Sequence, residues 1–231
     1  KIMIALQINS PNRMLYTEVA EPELHENDVR IKIKSSAVCG SDLNNIRKPR
    51  NLPQIPGHEC SGYVVELGDN ASSNIKIGDM VTIFPMIGCM KCKHCKNKDY
   101  RECESKKSIG FDLPGTFSEE IVVNQHFVIP VKRDITYDQA SLIEYLSCSY
   151  RLVMEVREYS ASPDTPILII GDGPVALSNV QMLTYFGYDN ITVIGKHDIR
   201  LNFADNFGAK YTFKRDQLNS LNKLNKFKVC I

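Results

Sequence analysis

Four cysteines, Cys89, Cys92, Cys95 and Cys103, fall in one lysine-rich loop with the spacing C-x2-C-x2-C-x7-C. Four thiolates held so close call for a tetrahedral cation. Zinc suits them because sulfur is a soft ligand and a filled d shell imposes no geometry of its own. A closed four-sulfur shell leaves no position open to substrate, so the loop is expected to hold shape and do no chemistry. Disulfides and an iron–sulfur cluster are the competing readings. No apolar secretory segment opens the chain, and the eight cysteines divide into this cluster and scattered singles, unlike a small disulfide scaffold. Lys91, Lys93, Lys96 and Lys98 interleave the ligands and would offset their charge, although a solvated loop face accounts for them equally well. His94 reads as a bystander, since four cysteines fill the shell.

A chain of 231 residues, 43% of them hydrophobic, is long enough for one large domain or two small ones with real cores. The 28 basic and 27 acidic residues nearly cancel, and no stretch outside the cysteine loop and the lysine-rich tail concentrates one sign. Nothing here favours nucleic acid or an anionic membrane as partner. No apolar run reaches the roughly eighteen residues that a bilayer span needs. Free thiols without an export signal point to the cytoplasm.

The hydrophobic period changes along the chain. Val29–Lys34, Tyr63–Leu67, Met80–Phe84, Glu120–Val123 and Phe127–Val131 read as short strands, with turns at Pro56-Gly57, Gly68-Asp69, Gly78-Asp79 and Pro114-Gly115. That is a mostly β domain. From Asp138 the period becomes helical, with Ala140–Val156 carrying apolar residues at three and four spacings, and residues 160–166 form a short loop. Strand and helix then alternate: Ile167–Ile170, a helix over Val175–Phe186, Ile191–Ile194, a helix over Ile199–Phe207, Lys210–Phe213, and Phe227–Ile231. The pattern predicts a doubly wound parallel sheet that ends in its fourth strand where a complete dinucleotide fold has six, so the chain reads as incomplete.

The turn after the first of these strands, Gly171-Asp172-Gly173-Pro174-Val175-Ala176, matches G-x-G-x-x-G/A. Gly171 permits the tight turn, Gly173 lets backbone approach a pyrophosphate, and Ala176 keeps helix and strand close. The pyrophosphate would rest on the helix N-terminus, near Pro174 and Val175, where N–H groups and the dipole favour an anion. About twenty residues on, NAD sites usually carry an acid. This chain has Gly195-Lys196-His197, with Arg200 close behind. A missing acid beside cations suits a 2′-phosphate, so NADP(H) is favoured and NAD(H) is the alternative, with Asp198 the acid that would approach the ribose.

Further residues gain meaning together: Cys39-Gly40-Ser41-Asp42 after a strand, Gly57-His58-Glu59 after a proline turn, and Glu144-Tyr145-Leu146-Ser147 on the helix leading to the nucleotide domain. With the four-cysteine lobe and the glycine turn, in this order, they resemble the zinc-containing medium-chain dehydrogenase/reductase family. Within it they resemble the polyol dehydrogenases related to sorbitol, galactitol and threonine dehydrogenase. The resemblance runs through essentially the whole chain. It implies an α/β protein: a GroES-like, mostly-β catalytic domain over residues 1–148, with a structural-zinc lobe at about 86–106, then an incomplete Rossmann domain over 149–231. It also implies two zincs per complete chain, the catalytic one held by Cys39, His58 and Glu144. Glu59 is the adjacent acid that enters or leaves the shell, and Ser41 the hydroxyl that passes a proton toward solvent. A Cys/His/Glu set with one open position agrees with catalytic zinc. For each residue a plainer role exists: Cys39 as a buried thiol, His58 as a core histidine, Ser41 as a turn hydroxyl.

The chain departs from the family at several places. Tyr145 stands where proline is common, Asn44-Asn45 where some relatives carry a relay histidine, and the segment over 47–54 is short, which alters the substrate mouth. Cys60, Cys148 and Cys230 are expected in the core. The implied activity is hydride transfer between a secondary alcohol, a sugar alcohol or related polyol, and NAD(P), with a small-molecule alcohol or ketone as partner and a homodimer or homotetramer as the assembly. An amino alcohol, a simple alcohol or a carbocyclic ring is the alternative substrate. A zinc-stabilised nucleotide-binding scaffold or sensor without turnover is the alternative outside catalysis.

Overall fold

The structure is a computed structural model that describes residues 1–71, 74–132, 134–160, 162–217 and 226–231. The chain folds as two compact units, Lys1–Glu144 and Tyr145–Ile231. Among the described residues no helix is long and apolar enough to cross a membrane.

The first unit opens with a hairpin, β1 (Ile2–Ser10) and β2 (Arg13–Ala20), turned at Asn12, whose φ is +61°. Then come β3 (Asp28–Ala37), α1 (Gly40–Arg47), β4 (Glu59–Leu67), β5 (Met80–Ile83), β6 (Met86–Ile87), α2 (Lys93–Lys96), β7 (Lys107–Ser108), β8 (Glu120–Asn124), β9 (Val128–Pro130) and α3 (Tyr137–Ser141). An antiparallel five-stranded sheet runs β8-β3-β4-β5-β9. Val29, Ile31, Val64, Val81, Ile83 and Phe127 are buried together along it. Each such side chain contributes roughly 1.5–3 kcal/mol of burial.

The second unit holds most of α4 (Ile143–Tyr159), then β10 (Ile167–Ile170), α5 (Pro174–Tyr185), β11 (Ile191–Gly195), α6 (Asp198–Asn206), β12 (Tyr211–Lys214) and β13 (Val229–Cys230). All pairings are parallel and the order is β12-β11-β10-β13. The order reverses between β10 and β13, the crevice where doubly wound sheets bind nucleotides. Ile167, Ile169, Ile191 and Val193 meet Val153, Val180 and Leu183 in its core.

The predicted strands and helices all appear, with three differences. The single helix expected over Ala140–Val156 is two, because Thr136 and Gln139 form a capping box that starts α3 early and Leu142 closes it. The β1–β2 hairpin, α1 and the short elements β6, α2 and β7 around the cysteine loop were not anticipated. Of the three cysteines assigned to the core only Cys60 is there; Cys148 on α4 and Cys230 on the edge strand β13 are exposed. Within the 160–166 loop, position 161 lies outside the described residues.

Candidate functional site

Cys39 is the N-cap of α1, in extended conformation at the end of β3. Gly57 sets up the approach to His58. Its φ is +94°, and a Cβ there would stand 2.5 Å from the Phe117 ring and 2.6 Å from Thr116 Oγ1, so only glycine fits. Glu59 begins β4. These three elements bring donor atoms of Cys39, His58 and Glu59 to within 4.8 Å of one another. Glu144, on the first turn of α4, is not part of that group. Its carboxyl nevertheless feels the charges of His58, Glu59 and Asp42.

Asp42, not singled out as a site residue from the sequence, organises this group. It is completely buried. Its Oδ2 accepts from Cys39 N–H at 2.9 Å, its Oδ1 accepts from Gly57 N–H at 3.2 Å, and Oδ1 lies 3.3 Å from His58 Nδ1. One carboxylate thus fixes the backbone beside one donor and the ring of another. The signal was in the sequence: an acid three residues after Cys39 is placed to cap α1.

The electrostatics are those of a cation site. Burial pulls the His58 pKa down, but the Asp42 carboxylate and then Cys39 override it and push it up to about 9. Burial raises Glu59 above the usual carboxylate range against the opposing charge of His58, and burial likewise raises Glu144. His58 Nδ1 is buried and lacks an aligned hydrogen bond. Cys, His and carboxylate donors converge on one point with an acid orienting the histidine, so the residues fit a divalent zinc-like ion. Asp42→Asn keeps the shape and removes the charge. It is expected to weaken zinc binding by about 10- to 100-fold, read by competition with a colorimetric chelator.

The second group is Cys89, Cys92, Cys95 and Cys103, again with sulfurs mutually within 4.8 Å. Cys92 N–H points at Cys89 Sγ, Cys95 N–H at Cys92 Sγ and Cys89 N–H at Cys103 Sγ, each at 3.4 Å. Backbone N–H groups of Lys91 and Cys92 lower the Cys89 pKa to about 6, while burial and the neighbouring thiols push Cys95 up to about 12. N–H groups aimed at sulfur favour thiolates, and crowding opposes more than one without a cation among them. The set fits a closed zinc site. Tyr100 anchors this loop, its ring 4.9 Å edge-on from Phe127.

In the second unit Gly171 follows β10 with φ +131°, Gly173 caps α5, and Pro174 and Val175 open that helix. Tyr145 donates to the Pro174 carbonyl and Ser149 Oγ meets Ser178 Oγ at 2.5 Å, so α4 is laced to α5. Gly195, Lys196 and Arg200 gather around Asp172, the middle residue of the glycine turn. Asp172 Oδ2 accepts from Lys196 N–H at 2.8 Å and His197 N–H at 2.6 Å and lies 3.0 Å from His197 Nδ1; Arg200 Nη1 is 3.9 Å from Oδ1. Burial works against this carboxylate, but the two N–H groups and His197 hold its pKa below the ordinary aspartate value. The absent β11 acid has a steric cause: a Cβ on Gly195 would come within 2.7 Å of Asp172 Cβ and of Leu201 Cδ2. Asp198 is turned elsewhere, 2.8 Å from Lys214 Nζ.

Residues 25–133 match the alcohol dehydrogenase GroES-like domain. L-idonate 5-dehydrogenase of Vitis vinifera is 29% identical over 195 residues, which cover 81% of this chain and 52% of that protein. D-arabitol-phosphate dehydrogenase of Enterococcus avium is 29% identical over 229 residues, 96% of this chain and 64% of that one. The structure of galactitol-1-phosphate dehydrogenase from Escherichia coli superposes with a TM-score of 0.85 at 27% identity, over 98% of this chain and 67% of that chain. The chain therefore spans between half and two thirds of these curated relatives. The chain carries an alcohol dehydrogenase GroES-like domain, and its likeness to polyol dehydrogenases runs through both units.

Proposed function

We propose that the protein is a zinc-dependent dehydrogenase that moves a hydride between a secondary alcohol of a polyol and NADP(H). The observation that carries this reading is the convergence of Cys39, His58 and Glu59 within 4.8 Å, steadied by a buried carboxylate. When bound, zinc on these residues supplies Lewis acidity that lowers the pKa of a coordinated hydroxyl, and the nicotinamide supplies the hydride acceptor.

The chain's own residues do the rest. Asp42 holds the His58 ring and the Cys39 backbone in place, so little reorganisation is left for the moment of reaction. Glu59 and Glu144, both raised above the free carboxylate value by burial, are the carboxyls that balance the charge beside His58. Ser41, half-buried on the first turn of α1, lines a cavity of about 570 Å³ into which its hydroxyl can hand a proton. Polyol oxidation is supported by relatives whose names specify L-idonate and D-arabitol-phosphate. The test is turnover of a polyol panel with NADP⁺ and NAD⁺ alongside zinc content per chain. Two zincs with no oxidation of any alcohol would leave the zinc-stabilised scaffold as the better reading.

The preference for NADP(H) rests on Lys196 and Arg200, two cations against the one carboxylate of Asp172, with the His197 ring beside them. Asp172 is also the competitor: its carboxylate already occupies donors that a 2′-phosphate would share. Asp172→Asn keeps an acceptor for the Lys196 and His197 N–H groups while removing the charge. The ratio of kcat/KM for NADPH over NADH is expected to rise by about tenfold, ~1.4 kcal/mol, the scale of a partly screened charge pair. An unchanged ratio would mean that this turn does not read the phosphate.

A further inference from the structure

The cavity that Ser41 lines is otherwise walled by Asn44, Asn45, Arg47, Lys48, Arg50 and Phe111. Three of these are cations and none is an acid. Arg50 is partly spoken for, with its guanidinium 5.3 Å over the Phe111 ring and 3.5 Å from Asp112. Arg47 and Lys48 have no acidic partner among the described residues. Closing the C-terminus of α1 is a plain role for one cation, but it does not account for a third cation facing the same space.

Two further observations tie this cavity to ligand binding. Phe111, which forms its wall, lies 5.5 Å ring to ring from His58, so the cavity adjoins the candidate metal ligands. Asn45 is 4% exposed and its Nδ2 donates to Gly110 O at 2.9 Å and to Gln54 Oε1 at 3.3 Å. Flipping the amide would set oxygen against the Gly110 carbonyl, which fixes Oδ1 as a buried acceptor with no partner. A polyol is rich in hydroxyl donors, directly or through a water.

We propose that this cavity is a phosphate subsite, and that the alcohol oxidised is a polyol phosphate, its phosphate monoester held by Arg47 and Lys48 with Arg50 at the rim. This rests on the dehydrogenase reading above. The geometry suits a chain of five or six carbons. Cys39 at the N-cap and Arg47 at the last turn are separated by about 12 Å of helix at 1.5 Å per residue. An extended polyol phosphate together with the reach of an arginine side chain spans that distance. A doubly charged monoester is matched by two or three cations, and the arginine forks can bind its oxygens in pairs.

The test is calorimetric titration of the zinc-loaded protein with galactitol 1-phosphate and with galactitol, for the parent and for the Arg47→Ala/Lys48→Ala double variant, with melting curves as the folding control. The phosphorylated form is expected to bind at least tenfold more tightly, and that advantage is expected to shrink at least tenfold in the double variant and to weaken as salt is raised. Inorganic phosphate alone should compete with the phosphorylated form only. Equal affinities for the two polyols would overturn the proposal, as would a double variant that keeps the preference. A double variant that loosens NADPH while leaving galactitol 1-phosphate untouched assigns the cations to the cofactor, and overturns it too. If the phosphate preference holds but no alcohol is oxidised, the subsite stands and the dehydrogenase reading falls.

Discussion

Replacing Cys39 with serine, or His58 with alanine, is expected to lower kcat/KM for alcohol oxidation by about 10³-fold or more and to remove one zinc per chain. Losing the cation's hold on the reacting oxygen removes on the order of 4 kcal/mol of transition-state stabilisation. The two variants separate on stability. Cys39 is only half-buried, and the contact that seats it in the fold, its N–H on Asp42, belongs to the backbone and survives the change. Its melting transition should move by a few degrees at most. His58 is the neighbour of a completely buried aspartate. Its loss leaves that charge without a counterpart, at a cost of about 1–3 kcal/mol. Steady-state kinetics, elemental analysis and thermal melts on the same preparations decide the matter. Parent-like turnover in both variants would end the catalytic assignment of this group.

The second large effect is expected at Cys92. Cys92→Ser should remove the other zinc and lower the melting temperature by about 10 °C, since a loss of ~3–5 kcal/mol moves a chain of this size by roughly 2–4 °C per kcal/mol. The reason is the poverty of the lobe. Apart from Cys95 and Cys103, no residue from 89 to 106 is buried, and Tyr100 is its main aromatic contact with the sheet. Without the ion, four thiols and a run of lysines have nothing else to organise them. Assayed well below its melting point, Cys92→Ser should retain far more turnover than Cys39→Ser. A Cys92→Ser protein with two zincs and the parent melting temperature would refute the structural role.

How far the sequence speaks depends on whether the information is local. The cysteine spacing and the glycine turn are local motifs, and both appear where their spacing puts them: sulfurs within 4.8 Å, and Gly173 capping α5. The parallel sheet was legible because Ile167–Ile170 is apolar throughout and Ile191–Gly195 is apolar but for Thr192, as suits strands covered on both faces. The hairpin of β1 and β2 was hidden by its composition. Residues 2–8 are apolar but for Gln7, and only Met3, Ala5 and Ile8 turn inward, so no alternation marks the strand. Helix α1 was hidden for the opposite reason, being short and polar, with asparagines and a buried aspartate. Asp42 and Asp172 act across 15 and about 25 residues of chain, on Gly57 and on His197. Spacing cannot reveal such partners. Gly195 shows the difficulty from the other side, since its missing acid reflects a neighbour's bulk before any ligand is considered.

Helix α1 carries Cys39 at its start, Ser41 and Asp42 on its first turn, and Arg47 at its end. These positions share one rigid cylinder of little more than two turns. An inserted residue between Ser41 and Arg47 would swing everything beyond it by about 100° and advance it by 1.5 Å, carrying Asn45, Arg47 and Lys48 off the cavity while the metal donors stayed in place. The length of this helix therefore constrains the site as strictly as the identity of Cys39 and Asp42. Homologous chains that differ here by one residue should differ in the substrates they accept, even where every metal ligand is retained.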